Sequence, residues 1–317
     1  MAFFDPAKFT DEAVDSLKTE LTGKAIIAAS GGVDSTVAAV LAAKAVGDNL
    51  LAIYVDTGYM RLDESKFVSS MLEDLGVQHK VIDASERFYE GLKGVIDPEQ
   101  KRKIIGELFI RVFEEESKKY GGNFLVQGTI APDWIESGGG IRDTIKSHHN
   151  VGGLPEDMEM ELCEPIRELY KDEVRSLAEY LKVSVAQRQP FPGPGLAVRV
   201  MGEATPKRTE IVRQACHIVE DELELAASEG KMELPWQYFA VILPVKTVGV
   251  QGDVRAYGNT IAVRAVQSYD AMTAQALEIP YSVLKKISER ITRELKSEVN
   301  RVVYDITDKP PGTIEWE

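Results

Sequence analysis

The stretch Lys24-Ala25-Ile26-Ile27-Ala28-Ala29-Ser30-Gly31-Gly32-Val33-Asp34-Ser35-Thr36-Val37-Ala38-Ala39-Val40-Leu41 joins a short apolar run to a helical one through a turn of small residues. A buried strand therefore feeds straight into a helix, the unit from which parallel sheets are built. Two glycines in the turn let the main chain approach an anion, the N–H groups that open the helix point toward it, and two serine hydroxyls add donors. Such a turn is a phosphate cradle. It lacks the lysine of GxxxxGK[ST] and carries Asp34, which can serve a polyphosphate only through a divalent cation. The expectation is a magnesium-bound nucleotide with Asp34 as the metal ligand. A Gly-Gly turn with a serine cap is the alternative that needs no ligand.

Outward from the turn, apolar and amphipathic segments alternate. Residues 11–22 read as a helix, Leu50 to Val55 as a strand, Glu64 to Leu75 as a helix, Gln78 to Ile82 as a strand and Pro98 to Tyr120 as a long helix. Asn123 to Gly128 reads as a fourth strand and Glu173 to Leu181 as a further helix. This is the pattern of an α/β doubly wound parallel sheet, in which ligands bind at the carboxyl ends of strands. The cradle, Asp56 and Gly128 all fall there. From about 131 to 157 no apolar periodicity is visible; the glycine-flanked run Ile145-Lys146-Ser147-His148-His149-Asn150 suits either a lid over a charged reaction or a solvated excursion.

Gln189-Pro190-Phe191-Pro192-Gly193-Pro194-Gly195 interrupts the alternation. We place the boundary there, with an N-terminal domain over 1–192 and a smaller α+β domain over 193–317. The second domain is read as a strand at Leu196–Val200, a helix at Pro206–Ala227, strands at Tyr238–Lys246 and Thr260–Gln267, a helix at Tyr281–Leu295 and a strand at Arg301–Ile306.

With 317 residues, 44% hydrophobic and 28% charged, the chain can bury two cores. No stretch reaches the roughly 20 apolar residues that span a bilayer, and no signal peptide opens the sequence, so cytoplasmic residence is expected. A net charge of −14 argues against tracking a nucleic-acid backbone. Two cysteines and four histidines without CxxC or HxxxH spacing make neither a disulfide framework nor a zinc site, and the thiols read as buried or idle.

The string Ser30-Gly31-Gly32-Val33-Asp34-Ser35 resembles the pyrophosphate loop of the ATP pyrophosphatases. Lys101-Arg102-Lys103-Ile104-Ile105-Gly106, Gln127-Gly128-Thr129, the 145–154 run, Phe191-Pro192-Gly193-Pro194-Gly195-Leu196 and Lys309-Pro310-Pro311-Gly312-Thr313-Ile314-Glu315-Trp316-Glu317 narrow the resemblance to the GMP synthetase family and cover nearly the whole chain. The resemblance implies a ligase that adenylates xanthosine monophosphate (XMP) with ATP, releases pyrophosphate and aminates the intermediate with ammonia. It further implies that Ser30, Gly31, Gly32, Val33, Asp34, Ser35 and Thr36 hold pyrophosphate, with Asp56 and Gly128 bordering adenosine and Asp34 on Mg2+. Lys146, Glu136 and His148 are implied on the catalytic lid, and Arg102, Gln237, Arg301, Lys309, Ile314 and Glu315 around XMP. The phosphate of XMP suits Arg301 and Lys309. Neither cysteine context resembles a glutaminase elbow, so ammonia is expected from a separate glutamine amidotransferase subunit, and a homodimer is expected through the second domain. A ligase of the NAD synthetase kind and a catalytically silent nucleotide-binding protein are the alternatives.

Overall fold

A computed structural model describes residues 4–132, 160–184, 188–251, 254–269 and 271–317. Its contacts divide the chain into two units. The first comprises 1–57, 63–87 and 106–188; the second comprises 58–62, 88–105 and 189–317.

In the first unit, α1 (Pro6–Glu20) begins at Asp5, whose carboxylate accepts the N–H groups of Ala7 and Lys8 at 3.0 and 3.2 Å, with Pro6 in the first turn. It is followed by β1 (Ala25–Ala28), α2 (Val33–Val46), β2 (Leu50–Asp56), α3 (Glu64–Asp74), β3 (His79–Asp83), α4 (Ser85–Gly91), α5 (Pro98–Tyr120), β4 (Phe124–Val126), β5 (Glu161–Cys163) and α6 (Lys171–Tyr180), the parts of α4 and α5 within 88–105 belonging to the second unit. The strands form one sheet in the order β3-β2-β1-β4-β5, every pair parallel. Buried on both faces, β1 and β2 read as continuous apolar runs. Helix α2 packs against α1 and α6, and its residues 36–42 are all buried. The direction of strand succession reverses at β1, between β2 and β4. The ends of β1 and β4 therefore flank the switch point at which α/β sheets bind ligands.

The second unit holds an antiparallel pair, β6 (Gln237–Gln251) and β7 (Val254–Gln267), with β8 (Gln275–Ala276) antiparallel and β9 (Val299–Asp305) parallel to β7. Helix α7 (Pro206–Ser228) is capped by Thr205 and packs on β6 and on α8 (Tyr281–Glu294). The fold class is thus a doubly wound parallel sheet with a second, smaller α+β unit, as the alternation of segments led us to expect.

Particular elements depart from expectation. Leu196–Val200 is not a strand: Gly195–Arg199 forms a 3-10 turn, and Val200 makes one isolated bridge to Ile242. A short buried apolar run has no periodicity to separate the two. The turn is forced by Gly195, which sits at φ +64° with its missing Cβ position 2.3 Å from the carbonyl oxygen of Tyr59. Strand β5 was not foreseen, because its residues include a glutamate and only three pair with β4. The observed division falls between Arg188 and Gln189, and segments 58–62 and 88–105 join the second unit. The cause is long-range hydrogen bonding: Leu196 N donates to Tyr59 O at 2.7 Å, and the Tyr59 hydroxyl donates to Ala204 O at 2.9 Å. Among the described residues, no helix is long and apolar enough to cross a membrane.

Candidate functional site

The cradle is built at the end of β1. Gly31 takes φ +75° and approaches α3 so closely that an added Cβ would lie 2.9 Å from Val68 and 3.2 Å from Glu64 Oε1. Gly32 caps α2 without using a side chain, so the hydroxyls are left to organise the loop. Ser30 Oγ meets Ser35 Oγ at 2.9 Å and accepts from Gly32 N at 3.2 Å, while Thr36 Oγ1 donates to Gly32 O at 2.7 Å. These bonds tie the loop to the first turn of α2.

Asp34, in the first turn of α2, is half-buried and grips Lys171 with both oxygens, at 2.9 and 2.6 Å. Nothing in the spacing of 34 and 171 announces that pair; it arises because α2 and α6 pack together. Glu64, buried behind Gly31, pairs with Arg188 through two bonds of 2.7 and 2.6 Å, and Arg188 stacks on Phe67 at 4.4 Å. Two cations thus stand beside the cradle, neither of them named by sequence reasoning. Asp56 ends β2 and accepts the Ser65 hydroxyl. Gly128 follows β4 and faces main chain: its Cβ would lie 2.8 Å from Asp34 C and O and from Ser35 N. It sets how closely β4 approaches the first turn of α2.

No cluster of three His, Cys, Asp or Glu side chains able to hold a metal occurs among the described residues. A single carboxylate at a phosphate cradle is the donor set of a magnesium ion that arrives on a nucleotide, because Mg2+ takes one or two carboxylates and completes its shell from phosphate and water. The residues fit that role, with Lys171 sharing Asp34. Glu136, Lys146 and His148 lie outside the described residues.

In the second unit, Gln237 Nε2 donates to Glu315 Oε1 at 2.9 Å, and Arg199 binds both oxygens of Glu315 at 2.8 and 3.1 Å. Arg199 is buried between Phe191 and Phe239; burial acts to lower its pKa, and the Glu315 carboxylate together with Cys216 and Glu220 offsets this, so that the net direction is upward. Arg102 donates to the carbonyl of Glu317. Lys309 Nζ donates to Ala271 O at 2.8 Å, and Ile314 is half-buried. Arg301 is exposed on β9, with Nε 3.3 Å from Thr247 Oγ1. The structure therefore joins Gln237 to Glu315 and Arg102 to the same tail, while Lys309 and Arg301 are hydrogen-bonded elsewhere. Arg199, Arg264 and Lys101, all buried, were missed as participants; a basic side chain inside an apolar or basic run carries no signal of burial. Cys163 and Cys216 are free and buried, and burial raises both thiol pKa values, which keeps them unreactive.

The model of the GMP synthase C terminal domain matches residues 224–316, and that of NAD synthase matches residues 7–109. One subunit of the glutamine-hydrolyzing GMP synthase of Thermococcus kodakarensis is 58% identical over 98% of this chain and 99% of its own length. The corresponding subunit of Methanocaldococcus jannaschii is 57% identical over 99% of this chain and 100% of its own. A solved structure of NMN synthetase from Francisella tularensis superposes with TM-score 0.48 at 19% identity, covering 67% of this chain and 84% of that one. With identity above one half across nearly the full length of these relatives, the chain belongs to the family of that glutamine-hydrolyzing GMP synthase subunit.

Proposed function

We propose the following division of labour for the reaction of this family. The C2 oxygen of XMP attacks the α-phosphorus of ATP, the bond to the β-phosphate breaks, and pyrophosphate leaves. Ammonia then displaces AMP at C2, giving GMP. The carrying observation is the cradle on α2, with its ordered hydroxyls, its backbone donors and Asp34 within 2.9 Å of Lys171. Ser30 to Thr36 hold the departing pyrophosphate. Asp56 and Gly128 border the nucleotide, Gly128 by fixing the approach of β4. Asp34 would hold a magnesium ion arriving with the nucleotide, and that ion would supply neutralisation of the charge that builds on the leaving group. Lys171, paired with Asp34, and Arg188, paired with Glu64, stand beside the same loop. Lys146, Glu136 and His148 are assigned catalytic roles alongside them.

In the second unit we assign XMP to Arg102, Gln237, Arg301, Lys309, Ile314 and Glu315. A base is read through Gln237, Glu315 and Ile314, and a phosphate through Arg301 and Lys309. Ammonia comes from a separate glutamine amidotransferase, a reading supported by relatives that are themselves named as one subunit of a glutamine-hydrolyzing enzyme. Residence in the cytoplasm accompanies it. A homodimer through the β6–β7 ribbon is supported by Val245, Val248, Val250, Val254 and Tyr257, which are 45–75% exposed there.

The test is release of AMP and pyrophosphate from ATP and magnesium with ammonium, with and without XMP, and GMP followed by absorbance. XMP-dependent cleavage with matching GMP is the expected result. The NAD synthase match over residues 7–109 favours one rival, a ligase acting on deamido-NAD. Cleavage that ignores XMP and responds to deamido-NAD would replace our reading with that one.

A further inference from the structure

Segment 307–317 follows β9 and makes one short main-chain pairing, Ala274 N to Lys309 O at 3.0 Å and Lys309 N to Ala274 O at 2.7 Å. Beyond Gly312 it belongs to no helix or strand. Ordering such a segment loses chain entropy with no ladder to offset the loss. Side-chain cations take the ladder's place. Arg264 donates to the carbonyls of Thr307 and Thr313, Arg199 binds Glu315, Arg102 donates to the Glu317 carbonyl, and Lys101 donates to the Glu317 carboxylate.

Lys101 is the extreme case. Its side chain is 0% exposed and that of Glu317 is 7% exposed. The three ammonium donors meet the Ala197 carbonyl at 3.2 Å, the Val200 carbonyl at 2.7 Å and Glu317 Oε2, while Glu317 Oε1 takes the Gly202 N–H at 3.1 Å. Burial pushes the Lys101 pKa down, and Glu317 opposes that shift. Without Glu317 the ammonium would keep two neutral partners and no carboxylate in contact, in a place closed to water. Docking of the segment and satisfaction of the lysine are therefore one event.

We propose that Lys101 is a positioning residue for XMP: by clasping Glu317 it holds the segment carrying Lys309, Ile314 and Glu315 in binding geometry, and does not itself touch the substrate. This rests on the reading of that segment as part of the XMP site. The experiment is ammonium-dependent GMP formation by the full chain carrying Glu317→Gln, with KM for XMP, KM for ATP and kcat measured separately, beside hydrogen exchange of peptides from 307–317. A charge-assisted bond becomes a neutral one, so KM for XMP should rise about tenfold or more, with KM for ATP and kcat within about twofold. Exchange should quicken in the segment and not in β6 or β7. Lys101→Met with Glu317→Gln removes both charges, should fold where either single variant does not, and should raise KM for XMP no further than Glu317→Gln alone.

Lys309→Ala separates the two layers of the argument. If Lys309→Ala raises KM for XMP and Glu317→Gln does not, the clasp is refuted while the XMP reading stands. If neither does, the reading of the segment falls and the clasp with it. An equal loss in both KM values and kcat, with faster exchange throughout the second unit, would reduce Lys101 to general structural support and overturn the proposal.

Discussion

Asp34 and Glu315 are each held by a cation far away in sequence, Lys171 and Arg199, and each acid has a different task. Asp34 is half-exposed beside the cradle, so its loss should cost chemistry and not folding. Asp34→Asn is expected to lower XMP-dependent pyrophosphate release by about two orders of magnitude or more at an unchanged melting temperature. An unaltered rate would remove Asp34 from the metal site. Glu315 answers a guanidinium that is 1% exposed. Glu315→Ala strands that charge, and the expected loss is about 3–5 kcal/mol in urea unfolding, because a broken buried pair leaves an uncompensated ion. Arg199→Met with Glu315→Leu should lose much less, and equal losses in the two variants would contradict the argument.

At the scale of elements, the meeting of β4 with α2 is the tightest constraint on the cradle. Gly128→Ala puts a methyl 2.8 Å from the main chain of Asp34 and Ser35, which cannot rotate away. The first turn of α2 must shift, at about 1–3 kcal/mol, and pyrophosphate release should fall more than stability does. Wild-type kinetics in that variant would refute the packing role. A second joint ties β3 to α5, where Glu116 accepts from Lys119 at 2.6 Å and Lys80 at 2.5 Å. Hydrogen bonds from Lys119 and then Lys80 hold its pKa below the usual 4.5. A depressed carboxyl contributes stability above its unfolded pKa and loses it as pH falls through the folded one. Since both lysines are half-exposed or more, the contribution is about 1 kcal/mol or less. Glu116→Gln should accordingly narrow the gap between melting temperatures at pH 7 and at acid pH, and an unchanged gap would show the joint to be inert.

For the whole molecule, the exposed ribbon of β6 and β7 and the expected ammonia donor lead to solution measurements. Sedimentation should give twice the 35.1 kDa of one chain, and a fully active monomer would end the dimer reading. Glutamine should support GMP formation only when a glutamine amidotransferase subunit is added, whereas ammonium should suffice for this chain alone. Robust glutamine hydrolysis by the purified chain would contradict that division.

Sequence alone determined the βα turn at Ser30–Ser35, the parallel alternation around it and the family motifs, because each depends on local chemistry: glycine at a left-handed turn, apolar runs long enough to bury, prolines that stop both. It could not separate a strand from a 3-10 turn at 196–200, where the deciding contact is the Tyr59 carbonyl against Gly195. Nor could it find Lys171 opposite Asp34, Arg188 opposite Glu64, or Lys101 and Arg199 beneath the tail. Those pairs join residues 116 to 216 positions apart in number only through packing. A lysine in Lys101-Arg102-Lys103 looks solvated until tertiary structure buries it, and burial is what turns an ordinary charge into one that must be answered.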